Sequence, residues 1–445
     1  MNDDLKAAIG AMLPGLREDL EALIRIPSVS APDFDATDVR RSAEATAELL
    51  VDGGYPEVRL LEHGDAHPAV FAEIPGPEGA PTVLLYAHHD VQPPGEDDGW
   101  TSDPFTPVER DGRLFARGAS DDKCGVVAHA AMAEVFGGKP PVGIKVFIEG
   151  EEEIGSPNLP GFLAEHSDLL ASDAIVIADS ANWRVGVPAL TTSLRGLVSA
   201  KVEVRVLEAG IHSGQFGGAI PDALTILCRI LASLHDADGE VAIPGLMSGE
   251  TDPLDLTEQE LRAQAGVVPG VELIGDGTLT SRLWTKPAAA VLAIDAPPVS
   301  KAINQLIPKA TAKVSVRIAP GDDPQRAMDS LVAHLEAQPA WGAKVTVTPR
   351  EKGAPFALGA EDPRVGAFRT AFAEAWGREA VDIGVGGSIP FVAAFSEAYP
   401  EAAILLTGAA DPTSRAHGPD ESLHLEDWRK SMVAQAIALR LLGES

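Results

Sequence analysis

Apolar residues recur at helical spacing through residues 1–50, with Leu16, Leu20, Leu23 and Ile24 on one face, so this stretch is predicted to be helix. The pattern then shortens. AVFAEI (69–74) and TVLLYA (82–87) are runs of strand length separated by a Pro/Gly turn. FTPVERDGRLFARG (105–118) predicts a hairpin turning near Asp111-Gly112, and Asp122 to Phe136 predicts a helix. VGIKVFIEG (142–150) and AIVIAD (174–179) are apolar throughout and bounded by polar loops, as expected of strands covered on both faces.

The texture changes near residue 187. KVEVRV (201–206) and ATAKVSVRI (310–318) alternate strictly, which gives each one buried and one wet face. Helices are predicted at about 221–235 and 324–338, and AKVTVTP (343–349) closes the region. Two helices backing an antiparallel sheet make a small α+β domain. After residue 355 the mixed pattern returns, with a helix at 363–376, a Gly-rich loop (GVGG, 384–387), the strand AAILLT (402–407) and a last helix ending at Leu442. The expected fold is α/β in two domains, one discontinuous over 1–187 and 355–445 and the other inserted over 188–354.

A chain of 445 residues is long enough for two cores. The formal net charge of −31 excludes nucleic acid as a partner, because a polyanion would be repelled. It otherwise describes a solvated acidic surface that also concentrates divalent cations. No apolar run reaches membrane-spanning length, and the acidic N-terminus is unlike a signal peptide. Cys124 and Cys228 form no spacing motif, which points to a reducing cytoplasm.

Polar clusters follow the apolar strands directly, where open α/β sheets bind ligands. In Ala87-His88-His89-Asp90, alternation puts His88 and Asp90 on one face, and Asp90 is placed to hold the second N–H of a metal-bound imidazole. In Arg117-Gly118-Ala119-Ser120-Asp121-Asp122-Lys123, Asp122 has an ordinary use as a helix cap. Asp121 has none, and a carboxylate can bridge two cations. Glu149-Gly150-Glu151-Glu152-Glu153 crowds four carboxylates at a strand end, which a divalent cation relieves and from which a spare carboxylate can act as a base. Asp179 follows another apolar strand, and His417 lies in the loop after 402–407. Two histidines and three acidic ligands without a thiolate suit zinc, with manganese or cobalt as substitutes. Two ions roughly 3.5–4 Å apart would share Asp121 and a hydroxide.

These residues, with the motifs AHHDVQPP, GRLFARGASDDK, EGEEEIGS, HSGQFGG and GGSIP in this order, make the chain resemble the dinuclear zinc amidohydrolases. That family includes carnosinase-type dipeptidases, aminoacylase, carboxypeptidase G and succinyl-diaminopimelate desuccinylase, and DVQP, HSGQFGG and GGSIP look most like its dipeptidase branch. The resemblance implies a zinc-peptidase-like catalytic domain with a ferredoxin-like lid and dimerisation domain. It implies that His88 and Asp179 hold one zinc, Glu153 and His417 the other, and Asp121 bridges them. Glu152 would be the general base and Asp90 would orient His88. His212 would stabilise the oxyanion across a homodimer, Arg317 would grip the substrate carboxylate, and Gly387 and Ser388 would contact the bound dipeptide. A cis peptide between Asp121 and Asp122 is also implied.

The chain departs from the family pattern after the last histidine, where relatives carry Asn-Glu and this sequence reads Gly418-Pro419-Asp420-Glu421. Within the family that the chain resembles, Asp at position 179 looks typical of dipeptidases and aminopeptidases, and Glu there of carboxypeptidases and deacylases. The expected activity is hydrolysis of a small peptide with a free carboxylate. The competing expectations are deacylation of an N-acyl amino acid and a catalytically silent metal-binding scaffold.

Overall fold

The computed structural model describes residues 2–95, 99–338, 341–359, 361–387 and 389–444. The chain forms two compact units, one of Met1–Thr192, Leu358–Ile383 and Pro390–Ser445, the other of Ser193–Ala357 and Gly384–Ile389.

In the first unit, strands pair in the order Glu57–Leu61, Ala69–Ile74, Gly143–Glu149, Thr82–His88, Ala174–Ile177 and Ala403–Leu406. The last four run parallel to their neighbours among themselves. Both faces are covered, which is why these strands read as unbroken apolar runs. On one face Val83, Leu85 and Ala87 join a core supplied by helices Asp3–Ile24, Lys123–Val135, Pro363–Trp376 and Leu425–Gly443. On the other, Tyr86 stacks on Phe391 at 4.9 Å and meets Phe395 edge-on at 5.3 Å. The helix Lys123–Val135 is buried along nearly its whole length, so it carries Ala, Gly and Val rather than a polar stripe.

The single helix expected over residues 1–50 is two, Asp3–Ile24 and Ala36–Asp52. Pro27 and Pro32 interrupt the chain between them, and a residue before proline is pushed out of the helical region. Buried Lys123 closes the break by donating from Nζ to Leu23 O and Ile26 O, both at 2.7 Å. A cation at a helix C-terminus meets both the orphan carbonyls and the helix dipole. The hairpin turn falls between strands Val108–Arg110 and Arg113–Phe115, with Asp111 and Gly112 both at positive φ. Helix Pro390–Ala398, which the sequence reading did not separate from its loop, is an additional element.

The second unit has an antiparallel sheet in the order Ala288–Asp295, Lys309–Ile318, Gly196–Arg205, Lys344–Gly353. Helices Ala223–Ala232 and Pro324–Ala337 pack on one face, against Val198, Val202, Val204, Val314 and Val316. The chain order of its main elements is strand–helix–strand–strand–helix–strand, a ferredoxin-like arrangement. Strand Ala288–Asp295 was not anticipated. Its sequence, AAAVLAID, does not alternate, and most of it is exposed at the sheet edge.

Candidate metal centre

Because strands Thr82–His88, Gly143–Glu149, Ala174–Ile177 and Ala403–Leu406 run parallel, their carboxyl ends share one edge of the sheet. His88 is the last residue of its strand. Glu152 and Glu153 open the 3-10 turn Glu152–Ile154 just beyond Glu149, Asp179 follows Ile177, and His417 lies in the loop after Leu406. Asp121 arrives immediately before the helix Lys123–Val135.

Asp121 is the centre of the cluster. Its Oδ1 lies 3.0 Å from His88 Nε2, and its Oδ2 lies 3.1 Å from His417 Nε2. Beside His88 Nε2 stand Asp179 Oδ2 at 3.9 Å and Glu152 Oε2 at 4.0 Å. Beside His417 Nε2 stands Glu153 Oε2 at 3.1 Å. The donor atoms of His88, Asp121 and Glu153 fall within 4.8 Å of one another, as do those of His88, Glu152 and Asp179. Distance alone therefore groups Glu152 with the donors. The arrangement fits two divalent cations, since one carboxylate turns an oxygen to each of two imidazoles and each imidazole has a further carboxylate at hand.

The electrostatics point the same way. Burial opposes a charged His88, yet hydrogen bonding to Asp121 and Asp90 raises its pKa well above the usual imidazole value. Hydrogen bonds to Asp121 and Glu153 raise His417 to about 10. Burial would lift Asp121, but the two histidines hold it well below the ordinary carboxylate range. Burial and the charge of Asp121 push Asp179 up to about 7. Burial, reinforced by Asp179 and Glu153 against the pull of His88, pushes Glu152 up to about 9. Crowded carboxylates that raise one another's proton affinity are also relieved by a bound cation.

Neighbouring groups hold these side chains in place. Asp90 lies 3.4 Å from His88 Nδ1 through Oδ1 and accepts from the backbone N–H groups of Glu152 and Glu153 at 3.3 and 3.1 Å. Gln92 donates from its backbone to Glu153 Oε1 at 3.0 Å and from its side chain to Oε2 at 2.8 Å. Glu421, wholly buried, accepts five hydrogen bonds, from Arg117 Nη1, Gly118 N, Ser120 N, Ser120 Oγ and Asp121 N. It joins the His417 loop to the Asp121 loop. Neither Gln92 nor Glu421 is marked as a supporting group by any local pattern. Gln92 lay in the DVQP motif, and Glu421 stood where the chain departs from the Asn-Glu pattern.

Asp122 occupies the N-cap position, but its side chain makes no capping hydrogen bond, contrary to the role available to it from sequence. The Asp121–Asp122 peptide is cis. His89 faces away from the cluster, 2.9 Å from Pro68 O, and burial lowers its pKa to about 4.

The other expected site residues belong to the second unit. His212 is exposed, and its Nδ1 accepts from Gly214 N–H at 3.1 Å, so the neutral ring carries its proton on Nε2. Arg317 stands next to last in strand Lys309–Ile318, opposite Leu197. Gly387 follows strand Val381–Val385, and Ser388 lies outside the described residues.

A parallel-stranded edge that gathers two imidazoles and a set of carboxylates describes a metallohydrolase. The model of peptidase family M20/M25/M40 matches residues 84–440, and the chain belongs to that family. It is 36% identical over 374 residues to cysteinylglycine-S-conjugate dipeptidase from Corynebacterium striatum, covering 82% of each chain. Among solved structures it is similar to the dipeptidase Dug1p from Saccharomyces cerevisiae, with TM-score 0.76, 23% identity, and 100% and 99% of the two chains covered. It is also similar to an M20 family metallo-carboxypeptidase from Sulfolobus solfataricus, with TM-score 0.78, 24% identity, and 97% and 99% covered.

Proposed function

We propose that this protein is a metal-dependent dipeptidase acting on small peptides with a free carboxylate. The observation that carries the reading is Asp121 turning one oxygen to each of two histidines, with a carboxylate beside each. His88 and Asp179 would hold one zinc ion, His417 and Glu153 the second, and Asp121 both. When bound, two such cations polarise a scissile carbonyl and acidify water.

The remaining work falls to the chain. Glu152, beside His88 Nε2 at 4.0 Å, takes a proton from the attacking water and returns it to the leaving amine. Asp90 fixes the ring of His88. His212 has its Nε2–H available for a developing oxyanion, and by resemblance it serves the site of a partner subunit. Arg317 takes the substrate carboxylate, and the family resemblance adds Gly387 and Ser388 as contacts to the peptide.

A homodimer through the second unit is part of this reading, supported by the exposed Val291, Leu292 and Ile294 on its edge strand. So is a cytoplasmic setting, in keeping with two free cysteines. Among the described residues no helix is long and apolar enough to cross a membrane.

The test is metal content by mass spectrometry on protein purified without chelator, with hydrolysis of a dipeptide panel and its N-acetyl amino acid counterparts on the same sample. The expected result is about two metal equivalents and dipeptide cleavage that a chelator abolishes. Faster cleavage of the N-acetyl compounds would replace the dipeptidase reading with deacylation. Inactivity with zinc, manganese or cobalt supplied would leave a silent scaffold.

A further inference from the structure

Arg195 precedes the first strand of the second unit and is only 8% exposed. Its Nε donates to Gly386 O at 3.0 Å, and its Nη1 donates to Arg282 O at 3.3 Å and Lys286 O at 3.2 Å. Its backbone N–H reaches Val385 O at 3.2 Å. A guanidinium has five N–H donors, and these bonds use the three on Nε and Nη1. The two on Nη2 meet no acceptor among the described residues. Every acceptor is a backbone carbonyl, so the positive charge is not neutralised by a carboxylate. Burying a cation in that state is costly unless something else compensates it.

A second guanidinium lies close by. Arg317 pairs across the sheet with Leu197, and Arg195 is two residues before Leu197, so strand alternation puts both arginines on one face. Burial, then the charge of Arg317, lowers the pKa of Arg195 to about 10. Like charges held together repel, and an anion beside Arg195 offsets that repulsion.

The Gly-rich loop is built around this side chain. A methyl group on Gly386 would come within 2.8 Å of Arg195 Nη2 and 2.9 Å of Leu283 O. One on Gly384 would come within 2.5 Å of Trp284 Cβ. Glycines there let the loop lie against Arg195 and the helix Leu279–Trp284.

We propose that Arg195 is a specificity-determining residue, a guanidinium clamped by backbone carbonyls that turns its Nη2 edge to the carboxylate of the substrate beside Arg317. This rests on the dipeptidase reading for the identity of the substrate. The alternative is a purely structural clasp on the 384–387 loop.

The two differ in which substrates they affect. The experiment compares wild-type holoenzyme with Arg195→Gln, Arg195→Lys and Gly386→Ala, using one dipeptide and the same dipeptide as its C-terminal carboxamide. Metal content and Tm are measured on every sample. For Arg195→Gln, KM for the free acid should rise about 10-fold or more, the loss typical of a charge-assisted hydrogen bond, while kcat and the carboxamide KM change by less than about threefold. Arg195→Lys keeps the charge without the fork and should fall between. Gly386→Ala keeps the arginine and crowds its Nη2, so it should raise the same KM selectively.

Equal changes for acid and carboxamide across the variants would overturn the proposal and leave the clasp. If the wild type cleaves no dipeptide, the dipeptidase reading falls by itself. Arg195 is then judged by calorimetric binding of the same acid and carboxamide. Selective loss of acid binding in Arg195→Gln supports the proposal, and equal binding overturns it.

Discussion

Replacing Glu421 by glutamine changes one atom, and the structure indicates what that atom does. Oε1 of Glu421 accepts from Ser120 N at 2.9 Å, Ser120 Oγ at 3.1 Å and Asp121 N at 3.1 Å. Oε2 accepts from Arg117 Nη1 at 2.7 Å and Gly118 N at 3.1 Å. All five partners donate, so an amide has no orientation that avoids pointing its NH2 at two or more of them. Burial pushes the pKa of Glu421 up to about 7 against the pull of Arg117, but a proton would meet the same obstruction as the amide. The ionised form is the one these contacts satisfy.

Arg117 is 1% exposed and would lose its only carboxylate among the described partners. Breaking a buried pair from one side costs about 3–5 kcal/mol. The loops it joins carry Asp121 and His417, so metal affinity should fall about 10–100-fold, as when a group supporting a metal ligand is removed. Urea unfolding followed through the first unit's transition reads the stability change, and zinc titration against a competing chelator reads the affinity. A Glu421→Gln protein within about 0.5 kcal/mol of wild type, with unchanged metal affinity, would mean that Glu421 supports neither the fold nor the site.

Glu152→Gln should retain its metal and lose turnover by at least about 100-fold; near-normal kcat would remove Glu152 from the mechanism. His129 is buried with Nε2 at 2.9 Å from Tyr86 O, and burial lowers its pKa to about 4. The unfolded chain takes up that proton near pH 6.5 and the folded chain only near 4, so stability falls as pH drops through this window. The loss reaches about 3 kcal/mol, and His129→Gln should flatten that part of the stability–pH curve; an unchanged curve would count against it. Leu292→Glu on the exposed edge strand should give a monomer by light scattering that keeps its metal and loses activity. A fully active monomer would eliminate the role of His212 across subunits.

Much of the candidate metal centre was legible because its residues follow a local rule. His88, Glu152, Glu153 and Asp179 lie at or just beyond the ends of apolar strands, and parallel pairing brings such ends to one edge. The faces of the second unit's alternating strands were legible for a similar reason, since a period of two reports directly which side is covered. Strand Ala288–Asp295 was not legible. An edge strand with small residues and an exposed surface has neither the run nor the alternation that marks its neighbours.

Local sequence patterns suffice for the fold class, the strand-end cluster of imidazoles and carboxylates, and the motif order that aligns the chain with a peptidase family. Tertiary structure alone decided which oxygen of Asp121 faces which histidine and which groups hold them there. Glu421 and Asp121 are 300 positions apart in the chain, yet they meet in a hydrogen bond of 3.1 Å. The three carbonyls that clamp Arg195 come from segments 87 to 191 residues away. Hydrophobic periodicity records whether a side chain is inside or outside. Hydrogen-bond partners depend on which distant backbone groups the packed core brings within reach, and no local pattern encodes that.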